Sequence, residues 1–255
     1  MTAVLETEGL SLQFGGVNAL SDLSIHIEEK SLHAIIGPNG AGKTSLFNCL
    51  TGYYRPSSGA VRFQGSEVTG LDAAKVAGLG IRRTFQNIRV FPKMSVLENV
   101  LAGGHLRATA NLFSIAVASP GFRRNERQLH QEAMASLEFV GLADQWNKLA
   151  GDLPYGMRKR MELARVLIAD PVVVLLDEPA AGVSSVEREE LSRVIQRIHD
   201  RGTCVVMIEH DVDLVMEIAT TVTVLDNGRI IASGQPLDVR NNPDVIRAYM
   251  GRKRK

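Results

Sequence analysis

The residues that constrain this chain most are Gly37, Pro38, Asn39, Gly40, Ala41, Gly42, Lys43 and Thr44. They fit the pattern G-x-x-x-x-G-K-[ST], and the segments on either side suit it. Leu32, His33, Ala34, Ile35 and Ile36 form a short run readable as a buried strand, and residues 43–50 read as a helix with Leu46, Phe47 and Leu50 on one face. Glycines let the backbone bend tightly and turn its N–H groups onto an anion, and the helix N-terminus adds partial positive charge. Lys43 then stands to reach the β- and γ-phosphates of a nucleotide, and the Thr44 hydroxyl to ligate Mg²⁺. An ordinary glycine-rich turn between strand and helix has no need of Lys-Thr in this register. The expectation is an α/β domain organised around a phosphate-binding loop.

A second landmark lies far downstream. Val172, Val173, Val174, Leu175 and Leu176 form an unbroken apolar run, as a parallel strand covered on both faces requires, and the run ends in Asp177 and Glu178. With a phosphate loop upstream, Asp177 reads as the metal-side acid and Glu178 as the group that positions or deprotonates an attacking water. Residues 203–208 read as another strand, followed by Glu209, His210 and Asp211. Taken alone, His210 is a strand-end turn residue. Gly80 to Gln86 looks like a further strand, and Gln86 reads either as a strand-end amide or as a ligand-sensing group beside the metal. Near the start, residues 4–12 and 20–27 alternate like strands, with Phe14, Gly15 and Gly16 assigned to the turn between them. Phe14 there is either a loop aromatic folded onto the core or a stacking surface for adenine. Asp226-Asn227-Gly228 between two apolar strands signals a hairpin.

Residues 88–169 have helical texture. Ser95 suits the N-cap of a helix opening at Val96. Leu129, Ala133, Met134 and Leu137 recur at helical spacing, and between these helices lies a short apolar segment, residues 112–117, closed off by Pro120 and Gly121. Leu153-Pro154-Tyr155-Gly156 leads into a helix over residues 157–169 whose first turn holds Arg158, Lys159 and Arg160. Cations there oppose the helix dipole, by about 1 kcal/mol or less each. The cluster therefore reads as a docking place for an anion or an acidic surface, or as a solvated basic face.

Bulk properties narrow the function classes. A chain of 255 residues has room for one large α/β domain, with or without an inserted lobe. Its 29 Lys and Arg nearly balance 28 Asp and Glu, so no global basic field argues for nucleic acid. Cys49 and Cys204 lie in apolar segments, which favours two buried thiols over a disulfide. No apolar run approaches the roughly 20 residues of a membrane span. Asn147-Lys148-Leu149-Ala150 lacks the aspartate that would read guanine, which disfavours a GTPase.

Taken in order, these motifs resemble the ATP-binding cassette (ABC) ATPase family along nearly the whole chain. Residues 37–44 look like its phosphate loop, Gln86 its Q-loop, LPYGM at 153–157 its signature region and VVVLLDEP its second acidic motif. His210 matches the switch histidine and Phe14 the aromatic that stacks on adenine. Closer similarity is to the ATP-binding subunits of bacterial branched-chain amino-acid importers, carried by FGGVNAL, GPNGAGKTSLFNCLTGYYRP, RTFQNIRVF, LDEPAAG, IEHDVDLVM, NNPDVIRAYMG and the insertion NLFSIAVASPGFRR.

The resemblance implies an α/β fold, a P-loop NTPase cassette of the ABC type. It would have a mostly parallel RecA-like core sheet, an antiparallel β subdomain and an inserted helical subdomain. One domain would span residues 1–255, with a core lobe at 1–87 and 170–255 and the helical part at 88–169. It implies ATP as substrate and Mg²⁺ as cofactor. Phe14, residues 37–44, Ser45, Gln86 and Gly156 would contact nucleotide; Thr44, Gln86 and Asp177 would serve the metal; Lys43, Glu178 and His210 would be catalytic. Two cassettes would close head to tail, each nucleotide lying between one chain's phosphate loop and the other's signature segment, where Gly156 offers backbone N–H groups. Implied partners are a second ABC ATPase subunit, in a homo- or heterodimer, two transmembrane permease subunits and, indirectly, a substrate-binding protein; nucleic acid is not among them. The implied location is peripheral, on the cytoplasmic face of the inner membrane.

The chain departs from the family pattern in places. Pro154 replaces the common signature serine, Tyr155 and Met157 stand where glycine and glutamine are usual, and Ser184 occupies the D-loop aspartate position. These departures lead us to expect an asymmetric heterodimer. The alternatives are an ATPase driving lipid or lipopolysaccharide export and a non-transport regulatory module. A DNA-repair type would need a long coiled coil that the helical lobe is too short to hold, and a translation-factor type usually carries two cassettes.

Overall fold

A computed structural model describes residues 3–84, 88–104 and 120–250, with side chains in the last stretch from 125 to 249. Its chain separates into two compact units, one of residues Met1–Arg83, Val172–Ala181 and Ile195–Lys255, the other of Thr84–Pro171 and Gly182–Val194.

The first unit contains two sheets. Strands β1 (Ala3–Phe14), β2 (Val17–Glu28), β4 (Ser58–Phe63) and β5 (Ser66–Glu67) form an antiparallel sheet in the order β2-β1-β4-β5. The other sheet has the order β10-β9-β3-β8-β7-β6, with β3 (Leu32–Ile36), β6 (Ile81–Arg83), β7 (Val173–Asp177), β8 (Cys204–Ile208), β9 (Thr221–Asp226) and β10 (Arg229–Gly234). Five of these six run parallel and only β10 is antiparallel, joined to β9 through Asn227 and Gly228, both at positive φ as such a tight hairpin demands. All five residues of β3, β7 and β8 are buried, which is why those segments lack strand alternation in the sequence.

One apolar core joins the two sheets. Leu5, Leu10 and Leu23 of the antiparallel sheet, Leu46 and Phe47 of helix α1 (Lys43–Leu50), and Ile35, Leu175 and Val206 of the parallel sheet belong to it. Phe14 is a correction. It is the last residue of β1, paired with Val17, and the turn consists of Gly15 and Gly16 alone. Its ring is exposed and meets Tyr54 edge-on at 5.3 Å. Short helices α2 (Ala73–Gly78), α7 (Val212–Ile218) and α8 (Pro236–Arg240) and the longer α9 (Pro243–Met250) complete this unit.

In the second unit α3 (Val96–Gly103), α4 (Pro120–Phe139) and α5 (Tyr155–Leu167) pack against one another. Ser95 and Glu98 form a reciprocal capping box at the start of α3. Pro120 and Gly121 are the first described residues of α4. Residues 112–117 lie outside the described residues. Helix α6 (Ser185–Asp200) begins in this unit and its residues from Ile195 belong to the other. Residues 182–194 group with residues 84–171, and polar contacts join the two stretches. Arg160 of α5 pairs with Glu190 of α6 at 3.2 Å, and Gly156 donates to Glu187. The basic cluster of α5 is therefore not a solvated face. Lys159 is buried, its ammonium 5.8 Å from the centre of the Tyr155 ring, and the acid that meets Arg160 is Glu190 of the chain's own α6.

Candidate nucleotide-hydrolysis site

Parallel strands deliver their carboxyl ends to one edge of the sheet, and beyond that edge follow the phosphate loop after β3, Glu178 after β7 and His210 after β8. The loop after β3 leads into α1. Gly37 has φ 150°, and a Cβ there would lie 2.1 Å from the carbonyl oxygen of Leu225, so only glycine fits. Gly42 (φ 103°) is the N-cap of α1 and makes no side-chain cap bond, which leaves the helix entrance to be met by an external acceptor. The Lys43 ammonium is buried and folds back over the loop, donating to the carbonyls of Gly37 (2.7 Å) and Pro38 (3.1 Å). Those carbonyls hold the cation at the centre of the loop. Thr44 and Ser45 occupy the next two positions of α1.

Asp177 is the last residue of β7 and is buried. Its Oδ2 accepts a 2.6 Å hydrogen bond from Arg83 at the end of β6. Glu178 follows with φ 50°, the left-handed region that a residue with a Cβ adopts only where its surroundings impose it. Its N–H donates to the carbonyl of Ile208, and its Oε1 lies 2.8 Å from His210 Nε2, so the ends of β7 and β8 hold acid and imidazole as one pair.

Sequence reasoning passed over Glu209. Its buried carboxylate accepts from the N–H groups of Ala180 (2.7 Å) and His210 (3.0 Å), binding the loop after Glu178 to the segment that carries His210. Burial pushes this carboxyl above the usual carboxylate range, and the surrounding amides pull against that rise. The available signal was an acid beside a histidine at the end of an apolar strand. Arg83 was likewise read only as part of a strand.

Gln86 lies outside the described residues. Gly156 belongs to the second unit, in the first turn of α5, where Pro154 is an N-cap without a side-chain bond. Its N–H donates to Oε1 of Glu187 at 3.1 Å, and that carboxylate's other oxygen accepts from the N–H (2.9 Å) and hydroxyl (2.8 Å) of Ser184. The Ser184 bonds, with a smaller share from Gly156, hold the Glu187 carboxyl below its ordinary range. Ser184, in the D-loop aspartate position, is thus engaged in starting α6.

The sequence matches the family profile described as ABC transporter over residues 20–181, and one described as branched-chain amino acid ATP-binding cassette transporter over residues 229–254. The chain is 42% identical over 249 residues to the high-affinity branched-chain amino acid transport ATP-binding protein BraF of Pseudomonas aeruginosa, covering 97% of this chain and 98% of that protein. It is 40% identical over 249 residues to LivG of Escherichia coli K12, which carries the same description, with the same coverage. Among solved structures, the ADP conformation of an ATP-binding cassette of an ABC transporter superposes with a TM-score of 0.87 at 30% identity, over 98% of this chain and all of the other. The cassette fold and its parallel core sheet follow from that superposition. Phosphate loop, terminal acids and imidazole now stand in a fold shared with nucleotide-binding relatives, and the chain belongs to the ABC transporter family as one of its ATP-hydrolysing cassettes.

Proposed function

We propose that this chain is the ATPase subunit of an importer of branched-chain amino acids, and that Glu178 with His210 directs the water that cleaves the γ-phosphate. The observation that carries the chemical part is the 2.8 Å contact between Glu178 Oε1 and His210 Nε2 at the carboxyl ends of two adjacent parallel strands. The substrate class rests on the near full-length similarity to BraF and LivG.

The geometry of the described residues supports the following roles. Amides of residues 37–45 and the α1 entrance take the phosphates, and Lys43 exchanges its loop carbonyls for phosphate oxygens. Phe14, exposed at the end of β1, offers a ring face to adenine. Thr44 and Asp177 would hold Mg²⁺, and their hard oxygen donors suit that ion; the family resemblance assigns Gln86 to the same ion. Among the described residues no group of three or more His, Cys, Asp or Glu forms a protein-only cage, which fits an ion held jointly by one or two side chains, phosphates and water. When bound, Mg²⁺ supplies neutralisation of the phosphate charge. Glu178 accepts the proton of the water and His210 keeps the carboxylate aimed.

The remaining contacts are with other chains. Gly156 would face the nucleotide of a second cassette, and the altered signature residues Pro154, Tyr155 and Met157 favour an unlike partner. No described helix is long and apolar enough to cross a membrane, so two permease subunits would supply the channel and this chain would sit peripherally on them.

Glu178→Gln tests the chemical part. Purified full-length protein, alone and with its membrane partners, should bind ATP as the parent does and release phosphate about 10²- to 10⁴-fold more slowly. Retention of most of the turnover would remove Glu178 from this role. Uptake of labelled leucine by vesicles holding the complex tests the substrate class, and uptake that ignores leucine, isoleucine and valine refutes it.

A further inference from the structure

Arg83 is buried at the end of β6, and each end of its guanidinium fork is used. Nη2 donates to Asp177 Oδ2 at 2.6 Å, with both side chains about nine-tenths buried (7% and 6% exposed). Nη1 donates to Asn48 Oδ1 at 2.7 Å and to Thr51 Oγ1 at 3.3 Å, at the far end of the helix that the phosphate loop enters. The same group stacks 5.5 Å above the ring of Phe47, itself fully buried in the core. One planar cation thus ties three elements, β6, α1 and β7, at the edge of the sheet where the candidate site lies. A forked guanidinium fixes both the direction and the distance of the groups it bridges, which a flexible ammonium does not. The two residues proposed for the metal, Thr44 and Asp177, sit on two of the three elements it ties.

We propose that Arg83 is a positioning residue for the metal side of the site. It fixes the carboxylate of Asp177 through Oδ2 and sets the spacing between α1 and the end of β7, so that Asp177 and Thr44 meet the ion in register. It touches neither nucleotide nor metal. The inference rests on the reading of Asp177 as the metal-side acid, and the test separates the two.

The experiment uses the full-length chain and a fluorescent trinitrophenyl derivative of ATP, titrated in EDTA and at increasing Mg²⁺. Groups that orient a metal ligand typically change metal affinity about 10- to 100-fold when removed. Arg83→Gln should raise the half-saturating Mg²⁺ concentration by that factor and leave the affinity in EDTA unchanged. Arg83→Lys keeps the charge without the fork and should recover only part of the loss. If Arg83→Gln does not fold, Asn48→Ala carries the same expectation in smaller degree, because it removes one anchor of the guanidinium and leaves Asp177 paired. In an Asp177→Asn background, Arg83→Gln should produce no further shift. An equal fall in affinity with and without Mg²⁺ would assign Arg83 to general stability, and full rescue by lysine would assign it a charge effect alone; either overturns the proposal. A Mg²⁺ response that changes in Asp177→Asn but not in Arg83→Gln or Asn48→Ala overturns it while sparing the metal reading. A parent protein whose binding ignores Mg²⁺, or an Asp177→Asn variant that matches the parent, removes both.

Discussion

Acid should loosen the strand that carries the phosphate loop, through His33. This residue lies in the middle of β3, 2% exposed, with Nε2 2.8 Å from the Thr223 hydroxyl, which in turn lies 2.9 Å from Ser233 Oγ. Burial lowers its pKa to about 4 from an ordinary 6.5. Between these values the unfolded chain binds the proton and the folded chain does not, so stability rises with pH across the window and is lost as pH falls through it. The full difference is about 3 kcal/mol at roughly 1.4 kcal/mol per unit, and at pH ~5 about 2 kcal/mol of it is gone. Relative to a typical net stability of about 5–15 kcal/mol this is a large fraction. Urea unfolding of the parent at pH ~7.5 and ~5 should show the midpoint falling by the order of 1 M. His33→Gln, which can still meet the Thr223 hydroxyl and does not titrate, should flatten the difference. Equal pH dependence in parent and variant would refute the assignment of a neutral buried imidazole to this strand.

Two further substitutions test the local structure. Gly37→Ala puts a methyl 2.1 Å from a backbone oxygen, so the loop must shift, and equilibrium dialysis should show ATP affinity down by about 10-fold or more, overpacking costing about 1–3 kcal/mol; Gly78→Ala, where a Cβ meets nothing, is the matched control. Ser95→Ala removes the cap of α3 and should cost about 1 kcal/mol. That corresponds to about 2–4 °C in Tm by calorimetry, with ATP binding unaffected.

Much of this architecture is readable from local chemistry. The loop at residues 37–44 needs only its glycines and Lys-Thr to be recognised, β7 its unbroken apolar run, and the hairpin its Asn-Gly. What stayed hidden depends on partners far away in the chain. Arg83 looks like any strand residue until β6 is laid beside β7 and its guanidinium reaches Asp177, 94 positions on. Arg160 seems solvent-facing until α5 is set beside α6, where Glu190 meets it at 3.2 Å. Phe14 stands outside the alternating positions in the sequence, and the shifts of register along β1 and β2 explain why alternation misleads there. The short helices α2, α7 and α8 contain too few turns for a periodic signal, although Asp72 and Asp211 cap the first two of them in the ordinary way.

The carboxylate seated on the Gly156 amide has a consequence for whatever reaches that helix end from outside. An incoming anion does not find an idle donor; it displaces an internal competitor, and Glu187 must then turn toward water or rely on Ser184 alone. Docking there is therefore a swap, its strength set by the difference between two acceptors.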